Sequence, residues 1–418
     1  MSRASTYFDA LETRPAEQRE GELMARLPQQ VAHARAHASA YAALLATVVP
    51  GDVCSRKALA ALPVTRKADL QRLQRDTPPL GGLAACAPGE MARLFQSPGP
   101  IYEPESRRAG YWRTARALYA AGLRAGDIVH NTFSYHLTPA GRMMESGALE
   151  LGCAVVPAGV GQTELQLQAL QDLQPSAYMG TPSFLRILLE KAADAGVRLP
   201  LRRALVSGEA LPASLRTWFA AQGLAVAQMY GTADLGSIAY ESMADGGSAH
   251  PGMILDEDLI LEIVVPGTGQ PVADGEIGEV LVTTLNPDYP LIRFATGDLS
   301  AVLPGASPCG RTNVRIKGWL GRADQTTKVR GMFVHPAQVA QVLQHHPAVQ
   351  HARLVVAGAM ANDTMTLRCE CAEPAPGLAQ AIEATVREIT KLRASVELLP
   401  PGSLPRDGKW IDDQRRYD

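Results

Sequence analysis

Residues 203–231, RALVSGEALPASLRTWFAAQGLAVAQMYG, hold the pattern that decides the fold. An apolar run ends in Ser-Gly-Glu, an amphipathic stretch of helix length follows, and a second apolar run ends in Met-Tyr-Gly. Short apolar runs separated by amphipathic helices mark a parallel sheet covered on both faces. Working outward, the same alternation recurs. The stretches 106–123, 141–152, 163–173 and 182–196 read as helices. Each precedes a strand-like run: DIVHNTF at 127–133, CAVVPAG at 153–159, SAYMGT at 176–181 and RALVSGE at 203–209.

The flanks differ in character. Residues 15–48 read as helical, interrupted at Pro28, and Thr65 in LPVTRKADL (62–70) reads as the N-cap of a further helix. After residue 250, DLILEIVV, GEIGEVLVTT and LSAVL are β-rich runs between Gly/Pro turns, as in an antiparallel sheet or small barrel. A polar, glycine-flanked stretch, GRADQTTKVRG (321–331), then leads into a second α+β pattern: a helix over 336–346, strands near 351–357 and 364–372, and a helix over 378–393. A chain of 418 residues is too long for one ordinary core. The expected fold is α/β: a large N-terminal domain over 1–321, with parallel sheet and helix layers to about 245 and a β-rich subdomain over about 250–320, and a small α+β C-terminal domain over 322–418.

Composition narrows the function. A net charge of −2 and a pI near 6.5 give no general electrostatic basis for binding nucleic acid or an anionic membrane. The first twenty residues lack the apolar core of a signal peptide, and no later stretch is apolar enough to span a bilayer. The six cysteines form no C-x-x-C pair, and Cys369 and Cys371 fall on one face of a strand, where core packing explains them. A reducing cytoplasm is the expected compartment.

Six motifs then occur in order: VSGEALP (206–212), MYGTADLGS (229–237), DGEIGEVLVTTL (274–285), YPLIRFATGDLS (289–300), GRADQTTKVRG (321–331) and LPRDGK (404–409). In this order and spacing the chain resembles the adenylate-forming enzymes, specifically the phenylacetate–CoA ligase branch, over nearly its whole length. The resemblance implies an AMP-forming ligase. ATP converts a carboxylic acid, here an aryl or arylacetic acid, to an acyl-adenylate, and the thiol of coenzyme A then displaces AMP. A carboxylate is a poor electrophile, so the mixed anhydride supplies a leaving group, and the protein must hold two mutually repelling anions as charge develops. Two other readings accompany it: an adenylating enzyme that passes the acyl group to a carrier protein or an amine, and a nucleotide-binding homologue that has lost catalysis. Relatives in this branch are often homodimers.

The resemblance also assigns residues. Read alone, Gly208 and Glu209 are a strand-to-helix turn and Tyr230 a packed tyrosine; by resemblance they border and stack on adenine, with Gly231 and Thr232 alongside. Asp234 stands where the family has a glutamate that helps hold Mg2+, keeping a hard oxygen ligand with one methylene less reach. Asp298, otherwise a turn cap, would accept from both ribose hydroxyls, with Arg322 beside it. Asp324 matches the hinge about which the small, mobile domain swings. Lys409 matches the catalytic lysine that meets both the acid oxygen and the α-phosphate. Tyr135 and His136 follow a strand near the start of the acyl pocket, His136 being a substrate contact or a structural histidine. Lys328 and Arg330 read as a solvated strand edge outside the site. Where some relatives carry a Cys/His zinc cluster, this chain has Ser242, His250, Ser307 and Cys309, and two hydroxyls in place of thiolates predict no zinc.

One segment departs from the family. Within residues 94–106, LFQSPGPIYEPES, the segment 96–101 stands where relatives have a flexible Gly/Ser/Thr phosphate loop ending near a lysine. Only Ser97 and Gly99 keep its character. Three prolines lack N–H groups, two glutamates face an incoming anion, and no lysine is present. The sequence therefore predicts a site shaped for AMP with a weak grip on pyrophosphate.

Overall fold

The N-terminal helices pack onto the β-rich part of the chain, and that contact shapes everything that follows. The computed structural model describes residues 6–97, 100–323, 325, 327–330, 332–358, 363–405 and 409–415. Two compact units emerge, Met1–Leu320 and Gly321–Asp418. In the larger, α1 (Ala16–His37), α2 (Ser39–Leu44) and α3 (Arg56–Ala60) precede a short strand, β1 (Thr65–Arg66), which runs directly into α4 (Lys67–Asp76). Contrary to the sequence expectation, Pro28 does not interrupt α1. Leu23, Leu27, Val31 and Ala34 are all buried along it, and their burial offsets the hydrogen bond lost at the proline. The break falls at Ala38, where the backbone turns extended. Thr65 is not a helix cap either. It pairs in parallel with Phe294 and shares a 3.2 Å hydrogen bond with the Tyr41 hydroxyl.

An antiparallel hairpin follows, β2 (Arg93–Ser97) and β3 (Ile101–Glu105). The helix expected over 106–123 is confined to α5 (Thr114–Ala120). Its N-cap, Arg113, has a left-handed φ of 57°, and the Trp112 carbonyl leaves the helical path to accept from Ser237 N at 2.9 Å. The alternating layers are β4 (Ile128–Asn131), α6 (Ala140–Glu150), β5 (Ala154–Pro157), α7 (Thr163–Leu173), β6 (Ala177–Gly180), α8 (Pro182–Asp194), β7 (Arg203–Val206), α9 (Ala213–Ala221) and β8 (Ala225–Thr232). Strands β5-β4-β6-β7-β8 are parallel neighbours, as the unbroken apolar runs require. After β8 the direction reverses: β9 (Gly236–Tyr240) pairs antiparallel with it, and β10 (Met253–Leu255) extends the sheet. The same sheet then reaches β14 (Val302–Leu303) and β15 (Arg315–Ile316). A second sheet contains β11 (Leu259–Val264), β12 (Gly278–Thr284) and β13 (Phe294–Ser300), with β1 on its edge.

The smaller unit contains β16 (Gly321–Arg322), a hairpin of β17 (Thr327–Val329) and β18 (Met332–Val334), then α10 (Pro336–His345), β19 (His351–Ala357), β20 (Thr364–Glu370), α11 (Leu378–Thr390), β21 (Ser395–Leu399) and β22 (Ile411–Asp413). Its main sheet has the order β21-β20-β19-β22, with Val339, Leu354, Leu367 and Ile382 in its own core. Among the described residues, no helix is long and apolar enough to cross a membrane.

Arg293, at the mouth of β13, is 2% exposed and fully engaged. Its Nε and Nη2 donate to the two Glu262 oxygens at 3.0 Å each, and Nη1 donates to the carbonyls of Ala60 and Leu62 at 2.8 and 2.5 Å. Nη2 also donates to Gly269 O at 2.6 Å. One guanidinium thus ties the N-terminal segment to β11 and β13. Losing one partner of a buried pair leaves a bare charge behind, at a cost of about 3–5 kcal/mol. Arg293→Met should lower unfolding free energy by that order in urea titrations, whereas the exposed pair Arg26–Asp258, broken by Arg26→Ala, should shift it by less than about 1 kcal/mol.

Candidate active site

Strands from the two sheets of the large unit meet at the Asp298 carboxylate. The Tyr230 hydroxyl, near the end of β8, donates to Asp298 Oδ2 at 2.9 Å, and the Trp319 indole N–H donates to Oδ1 at 3.1 Å. Thr296 Oγ1 accepts from the Asp298 amide at 3.1 Å. Tyr230 and Asp298 are 8% and 7% exposed, so the hydrogen bonds are shielded from water. A carboxylate has about four acceptor positions, so Asp298 can join several donors at once. The next residue, Gly231, sits where the β8–β9 register shifts. A Cβ there would lie 2.6 Å from the Gly236 carbonyl, so the turn admits only glycine.

The other expected nucleotide residues gather at the carboxyl ends of neighbouring parallel strands, where ligands of open α/β sheets bind. Gly208, after β7, has φ +80° and faces Thr181 and Phe133, which follow β6 and β4. Glu209 is held by Ser183 N at 3.3 Å, and its carbonyl accepts from Gln228 Nε2 at 3.0 Å. Thr232 Oγ1 accepts from Leu235 N at 3.1 Å and shapes the turn that presents Asp234.

At the atypical phosphate turn the structure differs from the sequence expectation. Ser97 does not present its donors to an anion: its amide donates to Glu103 Oε2 at 3.2 Å and its hydroxyl donates to Glu103 Oε1. Nor do both glutamates face an anion as bare charges. Glu105 pairs with Arg93 at 3.1 Å, and Glu103 is buried. Burial first, then the nearby Asp234 carboxylate, push the Glu103 pKa up to about 8, with Lys67 pulling the other way. A lysine is present after all, supplied from a distance. Lys67, at the start of α4, is ion-paired with Asp234 Oδ2. Among the described residues, Asp234 Oδ1 is buried and has no hydrogen-bond partner. The Tyr289 hydroxyl is likewise buried and without a partner among the described residues; burial, with Asp234 next, raises its pKa well above the ordinary phenol value.

The remaining expectations fall in several places. Tyr135 follows β4, and its hydroxyl accepts from Asn131 Nδ2 at 2.7 Å; His136 is exposed. Gly99 and Asp324 lie outside the described residues. Arg322 and Lys409 belong to the smaller unit, Arg322 in β16 and Lys409 exposed just ahead of β22. Cys309 Sγ lies 3.1 Å from Ser307 Oγ and 3.6 Å from Arg311 Nη1. Among the described residues no three His, Cys, Asp or Glu side chains are grouped to hold a metal. Sequence reasoning missed Lys67, Trp319 and Thr296, and read Glu103 only as a charge facing an anion. Lys67 stands inside LPVTRKADL, a stretch in which the sequence singles out only Thr65, as a helix cap.

Comparison with known proteins places this geometry. Residues 109–286 match the model of the AMP-binding enzymes, and residues 331–415 match the AMP-binding enzyme C-terminal domain. A phenylacetate–coenzyme A ligase of Thermus thermophilus is 32% identical, covering 96% of each chain, and one from Escherichia coli is 29% identical over 97% of this chain and 96% of its own. A crystal structure of 2-hydroxyisobutyryl-CoA ligase, in complex with 2-HIB-AMP and CoA, superposes with a TM-score of 0.85 at 26% identity over 100% of this chain and 94% of its own. The chain belongs to the phenylacetate–coenzyme A ligase family of AMP-binding enzymes.

Two measurements test the site. Asp298→Asn removes the charge that strengthens hydrogen bonding to a diol, so AMP binding by calorimetry should weaken by about 10- to 100-fold. Glu103 has a folded pKa above its ordinary value near 4.5, so its stabilising contribution is complete below that value and is lost as pH rises through about 8. Melting temperatures should therefore be similar for wild type and Glu103→Gln at pH 5, with the variant the more stable of the two at pH 9.

Proposed function

We propose that this enzyme activates an aryl or arylacetic acid with ATP and transfers the acyl group to coenzyme A, working in the cytoplasm. In the first half-reaction a carboxylate oxygen attacks the α-phosphorus and pyrophosphate leaves; in the second the CoA sulfur attacks the acyl carbon and AMP leaves. The observation that carries this reading is the Tyr230–Asp298–Trp319 arrangement in a chain similar from end to end to phenylacetate–CoA ligases. Asp298 takes the ribose hydroxyls, Tyr230 and Gly208–Glu209 frame the adenine, and Arg322 and Lys409 act from the smaller unit as it turns about Asp324. Tyr135 borders the acid.

The donor set fits a magnesium ion. Mg2+ usually keeps several waters and takes one or two carboxylate oxygens besides substrate phosphates, and Asp234 Oδ1 is a buried oxygen without a partner among the described residues. Asp234 would hold it, and the ion would neutralise phosphate charge. Lys67 supplies a cation beside the same turn, a role the proline-rich loop lacks.

Lys409 stabilises charge that builds only in the adenylation transition state, a contribution of about 10²–10³-fold. Lys409→Ala should reduce ATP–pyrophosphate exchange by that factor and leave thioester formation from supplied acyl-adenylate within about threefold. Equal loss in both assays would remove the assigned role. Exchange without a CoA ester would redirect the acyl group to a carrier protein or an amine, and no exchange with any acid would leave a nucleotide-binding protein.

A further inference from the structure

Lys409 is exposed, yet the backbone on both sides of it is fixed by side chains from elsewhere in the smaller unit. On its C-terminal side, Gln325 Oε1 accepts from Trp410 N at 2.8 Å and from Ile411 N at 3.5 Å. The Trp410 carbonyl accepts from Leu354 N at 2.9 Å, which ties the same residue to β19. On its N-terminal side, Glu370 Oε1 accepts from Leu404 N at 2.6 Å, and Arg353 Nη2 donates to Pro405 O at 3.0 Å. Glu370 and Arg353 are both buried. A lysine that only solvates a chain end needs no such anchorage. One that must deliver its ammonium to a single point does.

Gln325 stands one residue beyond Asp324, the expected hinge, and 85 positions before Trp410. Its φ is 59°, in the left-handed region that a residue with a side chain rarely enters and keeps only where its surroundings hold it. Two residues on, Thr327 repeats the link, its hydroxyl donating to Asp413 Oδ2 at 2.5 Å. The segment after the hinge and the segment after the lysine are therefore bound to each other, and the bond nearest to Lys409 is made by one carboxamide oxygen.

We infer that Gln325 is a positioning residue for adenylation: its oxygen fixes the backbone that carries Lys409 and so sets where the ammonium stands. This rests on the reading of Lys409 as the lysine of the first half-reaction. Gln325 acts through Lys409 and touches no reacting atom. Its loss displaces the ammonium without removing it, and the cost falls on the step that uses the ammonium. Met and Glu match Gln in length, and of the two only Glu keeps an acceptor oxygen.

ATP–pyrophosphate exchange with the acid that supports it best tests this. Gln325→Met should lower kcat of exchange by about 10- to 100-fold with KM for ATP changed by less than about threefold. Thioester formation from supplied acyl-adenylate should stay within about threefold of wild type. Gln325→Ala, which also lacks the oxygen, should behave as the methionine variant does, and Gln325→Glu should recover exchange to within about fivefold of wild type. Added to Lys409→Ala, Gln325→Met should cost less than about twofold more, because the residue it acts through is gone. Melting curves check that each variant is folded. Equal losses in the two half-reactions, full exchange in folded Gln325→Met and Gln325→Ala, or additive losses in the double variant would each overturn the inference. Undiminished exchange in Lys409→Ala would overturn the lysine assignment and the inference with it, and no exchange with any acid would overturn the ligase reading beneath both.

Discussion

The Arg293 guanidinium is the fixed point of the large unit. It is buried, it satisfies every donor it offers, and it joins chain segments separated by more than two hundred positions, from Ala60 to Arg293 itself. Strand β13 starts at this anchor, and three residues of it define the site: Thr296 turns the backbone, Gly297 gives the bend its positive φ, and Asp298 receives the hydrogen bonds of Tyr230 and Trp319. The second sheet is thereby held at a distance from β8 that a single hydroxyl can span.

Around that point the molecule resolves a conflict of charge. Two acidic side chains, Glu103 on β3 and Asp234 after β8, lie close together in a place where a phosphate chain is expected. The conflict is eased by one imported cation and one raised pKa: Lys67 pairs with Asp234, and burial favours the protonated form of Glu103, which Ser97 holds. Prolines in the hairpin remove amide donors, and the lysine from α4 restores a positive centre by a different route.

The fold was legible because its signal is local. The runs at 127–133, 153–159, 176–181, 203–209 and 224–231 each became a parallel strand, since periodicity and flanking turns need no distant partner. Asp298 and Tyr230 could be picked out because they stand inside motifs. Lys67 could not, since its role exists only through Asp234, 167 positions away. Trp319 was hidden for the same reason, and Pro28 and Thr65 were misjudged because core burial and a strand pairing outweighed a local preference. The two charged glutamates of the hairpin were read as free anions, which is what burial and an ion pair prevent.

The raised pKa of Glu103 has one further effect. With Glu103 neutral, the three groups Lys67, Asp234 and Glu103 sum to zero charge, so this cluster exerts no net long-range pull or push on a polyanion diffusing from solution. Capture of a nucleotide at that turn then depends on contacts made at hydrogen-bond range, and dissolved salt, which weakens only the distant field, has little there to screen.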